Sequence, residues 1–96
     1  MSRFTTRIEL HKAKLPEDYE DLHKLMAKEG FSRTIIDKDG VEYRMPSAEY
    51  NKVAENTIDE VYNAAERAAK ATGKGHWILV TEGSRKWVLE PVKKLV

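Results

Sequence analysis

No cysteine occurs in the 96-residue chain, which excludes disulfides, thiolate metal sites and thiol nucleophiles. Neither charge is in excess: 17 Lys and Arg stand against 16 Asp and Glu, a formal net charge of +1. A protein that grips duplex phosphates ordinarily carries a strong basic surplus, so net charge gives no reason to expect duplex binding. Long apolar runs are missing as well. The opening MSRFTTRIEL turns charged and β-like at once, and no window approaches the roughly 20 apolar residues of a membrane span. There are no low-complexity tracts and no internal repeats at solenoid periods. These absences lead to the expectation of one cytoplasmic domain over residues 1–96, with no membrane partner and no cofactor. A chain of this length buries roughly two thirds of the surface it exposes when unfolded and folds without staples.

What is present is patterned. Phe4, Thr6, Ile8 and Leu10 alternate with Thr5, Arg7, Glu9 and His11, the period-2 signature of a half-buried strand whose even face is inward. Pro16 then suits a first helical position. Acidic Glu17, Asp18, Glu20 and Asp21 favour the positive end of a helix, and Tyr19, Leu22 and Met26 recur at helical spacing up to Gly30. Residues 31–37 and 41–45 read as strands flanking Asp39-Gly40, a hairpin signal of the type that wants positive φ at both central residues. Thr57 and Glu60 have the spacing of a capping box, ahead of an apolar stripe formed by Ile58, Val61, Tyr62, Ala65, Ala68 and Ala69. HWILVT is a short apolar strand, and RKWVLE after Gly83-Ser84 reads as a further strand able to fold back on it.

The order predicts an α+β fold: a ferredoxin-like βαββαβ plan with an extra C-terminal strand, two helices covering one face of an antiparallel sheet. A parallel αβ arrangement is the alternative, but the Asp-Gly turn leaves no room for a crossover helix. Trp77 and Leu79 make the HWILVT strand apolar on its second face too. Either the last strand or a second copy of the chain is expected to cover it, giving a homodimer through the C-terminal strands.

Chemical motifs are few. Asp37 and Asp39 before Gly40 have part of the spacing of a calcium loop, but the first position of that loop falls on Ile35, which has no oxygen ligand. His11, His23 and His76 lack a local metal-ligand spacing, so no metal site is expected; His11 and His23 are the two whose elements can line a common cleft. No nucleophile elbow, Walker loop or dinucleotide fingerprint occurs, and GKGH at residues 73–76 reads as a helix stop. The signature of the RNA-recognition module is absent. Trp77 and Trp87 are candidate base-stacking platforms as well as candidate core or interface residues.

The residues Leu25, Met26, Phe31, Ser32, Asp37 and Gly40, in the pattern LM-x4-FS-x4-D-x-x-G, together with Tyr50 and the element order, resemble the GhoS family of type V toxin–antitoxin antitoxins. The likeness is strongest over residues 19–50. It implies a ferredoxin-like endoribonuclease, akin to the small nucleases of CRISPR spacer acquisition, that cleaves the single-stranded transcript of a small membrane-active toxin. Carried over residue by residue, it puts Glu9 nearest the family's acidic residue at the end of strand one, with His11 two residues on. It also puts His23 where a functional arginine is expected, and Arg44 one residue beyond another. The resulting expectation is an RNA-cleaving or RNA-binding antitoxin with His11, His23 and Glu9 as catalytic candidates and Arg33 and Arg44 as RNA-binding candidates. The competing expectation is a non-enzymatic interaction module that associates through its C-terminal strands.

Overall fold

The computed structural model describes residues 1–92. Its elements are β1 (Ser2–Leu10), α1 (Glu17–Lys28), β2 (Thr34–Ile36), β3 (Glu42–Arg44), β4 (Glu49–Ala54), α2 (Ile58–Ala71) and β5 (His76–Glu82). β1 is the central strand of an antiparallel sheet ordered β4-β1-β5, and β2 and β3 form a separate antiparallel hairpin. Both helices lie on one face of the sheet, the arrangement expected of a ferredoxin-like α+β fold.

The alternation in β1 decides which face that is. Phe4, Thr6, Ile8 and Leu10 are all buried, and the cross-strand register places Tyr50 of β4 and Val80 of β5 beside Thr6. Helix α1 contributes Leu22 and Met26 to this core, and α2 contributes Val61 with Ala64, Ala65, Ala68 and Ala69. Four alanines on the buried face let α2 approach the sheet and α1 closely. Ile58 and Tyr62, expected in the stripe, sit at its margin and are exposed, because the buried arc turns toward Ala64 instead.

The helix ends follow the sequence. Pro16 is the N-cap residue of α1, and Gly30 with φ of 89° lets the chain leave it. At α2 the Thr57 side chain accepts from the Glu60 amide at 3.1 Å while the Glu60 carboxylate accepts from the Thr57 amide at 2.8 Å, a complete capping box.

Three expectations need correction. First, β4 was not anticipated; it lies between the hairpin and α2 and is the strand that pairs with β1, so the hairpin itself is peripheral. A bridge between Ser32 and Asn51 ties the hairpin to β4. Second, Asp39 does not take positive φ. The Gly40 amide closes a turn on the Asp37 carbonyl at 3.0 Å, and Gly40 alone carries the left-handed φ, at 82°. This is the longer hairpin loop in which a turn is followed by a left-handed glycine. Third, residues 85–90 do not return along β5. They leave Gly83 and cross the helix-free face toward the hairpin, where the Arg44 amide donates to Glu90 O at 3.0 Å and the Val92 amide to Glu42 O at 2.9 Å. The crossing is anchored by Arg85, whose Nη1 donates to Asn51 Oδ1 at 2.5 Å and to Phe4 O at 3.2 Å. It leaves the β5 end of that face bare, with Trp77 67% and Leu79 64% exposed.

Among the described residues no helix is long and apolar enough to cross a membrane.

Candidate functional site

One turn of α1 separates Tyr19 from His23, so both side chains emerge on the same helix flank, toward β4 and the loop before it. The Tyr19 hydroxyl accepts the Leu10 amide at 2.9 Å, fastening the first turn of α1 to the end of β1. This leaves His23 opposite Tyr50, whose inward register in β4 buries it completely. The two meet at 2.6 Å between His23 Nδ1 and the Tyr50 hydroxyl. The Phe31 ring packs edge-on to the other side of Tyr50, with centroids 6.4 Å apart.

Above this pair opens a cleft of about 510 Å³ lined by Leu15, Pro16, Tyr19, Glu20, His23, Arg33, Ser47 and Ala48. Its far wall is the turn into β4, held by the Ile8 amide on Ala48 O at 3.1 Å with Ala48 at φ of 64°. Arg33, in the segment between α1 and β2, is exposed and supplies the positive charge of the site.

The electrostatics follow from burial and that one cation. Burial, and next the Arg33 charge, hold His23 below the ordinary histidine range. Burial pushes Tyr50 well above the ordinary phenol range, with Tyr19 acting in the same direction and Arg33 against it. At neutral pH the site therefore holds a neutral imidazole and a protonated phenol, with the Arg33 guanidinium in the cleft lining and no carboxylate within ion-pair distance of it among the described residues. When Nδ1–H donates to the phenol oxygen, His23 keeps a lone pair on Nε2 and is a base; when the phenol donates instead, Nε2 carries the hydrogen. An imidazole able to take or give a proton beside a guanidinium suits reactions in which an anion is bound while a hydroxyl is deprotonated.

Of the five residues singled out from sequence, the structure brings two together here, His23 and Arg33. His11 and Glu9 lie across the sheet. Glu9 pairs with Trp77 in the register and points to the helix-free face, exposed. The His11 ring meets the Trp77 ring edge to face, 4.7 Å between centroids, and its Nε2 is buried without a partner among the described residues. Gly75 is what allows that position, since a Cβ there would stand 3.1 Å from His11 Nδ1. Arg44 is exposed on β3, where its amide is used by the Glu90 carbonyl, and does not line the cleft. Among the described residues there is no group of three or more His, Asp or Glu side chains that could hold a metal ion.

Tyr19 and Tyr50 are the functional candidates that sequence reasoning passed over. Tyr19 has a signal, its i,i+4 spacing to His23. Tyr50 enters the sequence reading only through the family resemblance, and its partnership with His23 rests on β4 pairing with β1. Comparison of the chain with known protein families, with curated proteins and with solved structures finds no match.

Proposed function

We propose that this chain is a GhoS-like antitoxin of the cytoplasm that acts on single-stranded RNA, with the His23 cleft as its active site. The observation that carries this reading is the convergence of a neutral His23, held from beneath by the buried Tyr50 hydroxyl, and the Arg33 guanidinium on one cleft. It joins the resemblance around Leu25, Met26, Phe31 and Ser32 to a chemically competent site on the same stretch of chain.

The reaction that suits these groups is internal transesterification. His23 Nε2 removes the 2′-hydroxyl proton as the 2′-oxygen forms its bond to the adjacent phosphorus. The bond from phosphorus to the 5′-oxygen breaks, and the proton passes to that leaving oxygen, giving a 2′,3′-cyclic phosphate and a free 5′-hydroxyl. Arg33 offsets the charge that develops on the phosphoryl oxygens, and Tyr50 fixes the imidazole tautomer. No metal is required in this scheme.

Incubating the protein with a varied single-stranded RNA pool, with and without magnesium, tests the proposal. Cleavage that falls at least about tenfold in His23→Ala with little change in melting temperature is the expected result. Absence of both cleavage and salt-sensitive RNA binding overturns it, and cleavage unchanged in His23→Ala removes the cleft from the reaction.

A second reading is favoured by a separate observation. The bare Trp77 and Leu79 lie on β5, whose outer edge has no paired strand among the described residues. An apolar face beside an open edge suits association with a second copy of the chain through β5. Sedimentation showing a monomer at high protein concentration would dismiss it.

A further inference from the structure

Between the hairpin and the segment that crosses the helix-free face lies a groove of about 970 Å³, on the opposite side of the sheet from the His23 cleft. Its walls carry Arg3, Lys38, Arg85 and Lys86, and among the described residues none of these cations has a carboxylate within ion-pair distance. The one acidic side chain in the wall, Asp37, is already engaged. Its carboxylate accepts from the Asp39 and Val41 amides, both at 2.9 Å, and from the Tyr43 hydroxyl at 3.1 Å.

Arg85 is held by Asn51 and the Phe4 carbonyl, yet its Nε is buried with no partner among the described residues. Burial, and next the Arg3 charge, lower it from the ordinary guanidinium range. Two guanidiniums lining one groove, with no carboxylate paired to either among the described residues, make a site that an anion stabilises. Beside them stand two aromatic rings. Trp87 meets Tyr43 edge to face at 6.0 Å between centroids, and Asp37 holds Tyr43 in place.

A free inorganic anion would satisfy the cations and leave the aromatic wall unused. A single-stranded polynucleotide uses both, since it presents a backbone phosphate and an unpaired base face one nucleotide apart. We propose that this groove binds single-stranded nucleic acid, with a backbone phosphate between Arg3 and Arg85 and a base against Trp87. A duplex, whose bases are already stacked, offers the groove only phosphates. The site shares a ligand class with the proposed active site but rests on different residues, and binding here does not depend on His23.

The test is fluorescence anisotropy of a labelled 2′-O-methyl oligouridylate of about ten nucleotides, the 2′-O-methyl group removing the nucleophile so that binding is read without cleavage. Arg3→Ala with Lys86→Ala, both exposed positions, is expected to weaken binding about tenfold and to reduce the salt slope by about one. Trp87→Leu is expected to weaken binding by a similar factor. The decisive variants are those at Arg3 and Lys86, because Trp87 also packs on the hairpin; melting temperatures are followed for all of them. Binding that disappears in the groove variants and persists in His23→Ala supports the site, whatever the cleavage assay shows. No salt-dependent binding, binding indifferent to Arg3 and Lys86, or equal affinity for a duplex of the same length overturns it.

Discussion

The Tyr50 hydroxyl stands 2.6 Å from His23 Nδ1, a polar link between the middle of β4 and the flank of α1. Tyr50→Phe removes that oxygen while leaving the ring against Phe31, so the half-buried imidazole loses its partner without a change in shape. The cost of stranding a buried polar atom is about 1–2 kcal/mol. For a domain of this size that lowers the melting temperature by about 4–16 °C. A double-mutant cycle with His23→Ala is the sharper measurement: a direct bond gives a coupling of at least about 0.5 kcal/mol, and additive effects would show that the two side chains do not stabilise each other.

The burial of His23 sets a pH dependence. His23 titrates lower in the folded protein than in the unfolded chain, where its pKa is about 6.5, because burial and Arg33 both disfavour the imidazolium. In that situation the unfolded chain binds the proton more readily. The stabilisation is complete above about pH 6.5 and is lost as pH falls from there through the lowered native value. Denaturation midpoints recorded from pH 7.5 down to pH 5 are expected to fall more steeply in the wild type than in His23→Gln. The depressed carboxylates Asp18, Asp37 and Glu60 titrate below this window and do not confuse it. Parallel curves would mean that His23 is not the group responsible.

Helix α2 offers a prediction that concerns the fold alone. Thr57→Ala deletes the side-chain acceptor of the Glu60 amide, and with it the reciprocal geometry that orients the Glu60 carboxylate on the Thr57 amide. Loss of such a cap costs about 1 kcal/mol. Thr57→Ser, which keeps the acceptor, is expected to recover most of that loss in chemical denaturation, and failure to do so would place the effect in packing of the threonine methyl.

These elements differ in how far the sequence discloses them. The capping box, the even face of β1 and the apolar stripe of α1 were readable because each is a local pattern whose period is set by its own backbone geometry. β4 was not, and Lys52 is the reason. It occupies an inward register position next to Phe4, where a strand would show an apolar residue. The position is tolerated because Lys52 lays its stem over the core and sends its Nζ to the Glu29 carbonyl at 2.7 Å, 4.8 Å from the Phe31 ring centroid. With Lys52 in that place the segment EYNKVA has no visible alternation. The candidate site was half legible for the same reason: His23 lies just before, and Arg33 within, the motif that carries the family resemblance, whereas Tyr50 reaches His23 only because β4 pairs with β1. His11 and Glu9 stand apart from His23 because the period of β1 puts its odd residues on the face away from the helices.

The centre of β1 supplies the last prediction. Thr6 is fully buried between Tyr50 and Val80, and its Oγ1 has no hydrogen-bond partner among the described residues. A hydroxyl taken from water into an apolar core and left unpaired is destabilising by about 1–3 kcal/mol, and valine fills the same branched shape without carrying that burden. The backbone pairing of β1 with its two neighbours is untouched by the exchange, and valine is at least as good a strand former. Thr6→Val is therefore expected to raise stability by about 1 kcal/mol, read as a melting temperature about 4–8 °C higher. A lower melting temperature would mean that the hydroxyl is bound in solution, by water or by a shifted Tyr50, and that the strand centre keeps a threonine because the polar contact is used. Since Thr6 lies on the helix side beside Tyr50, measuring RNA cleavage in Thr6→Val as well as its melting temperature separates the two: more stable with unchanged cleavage leaves Thr6 out of the site, and more stable with reduced cleavage extends the site into the core.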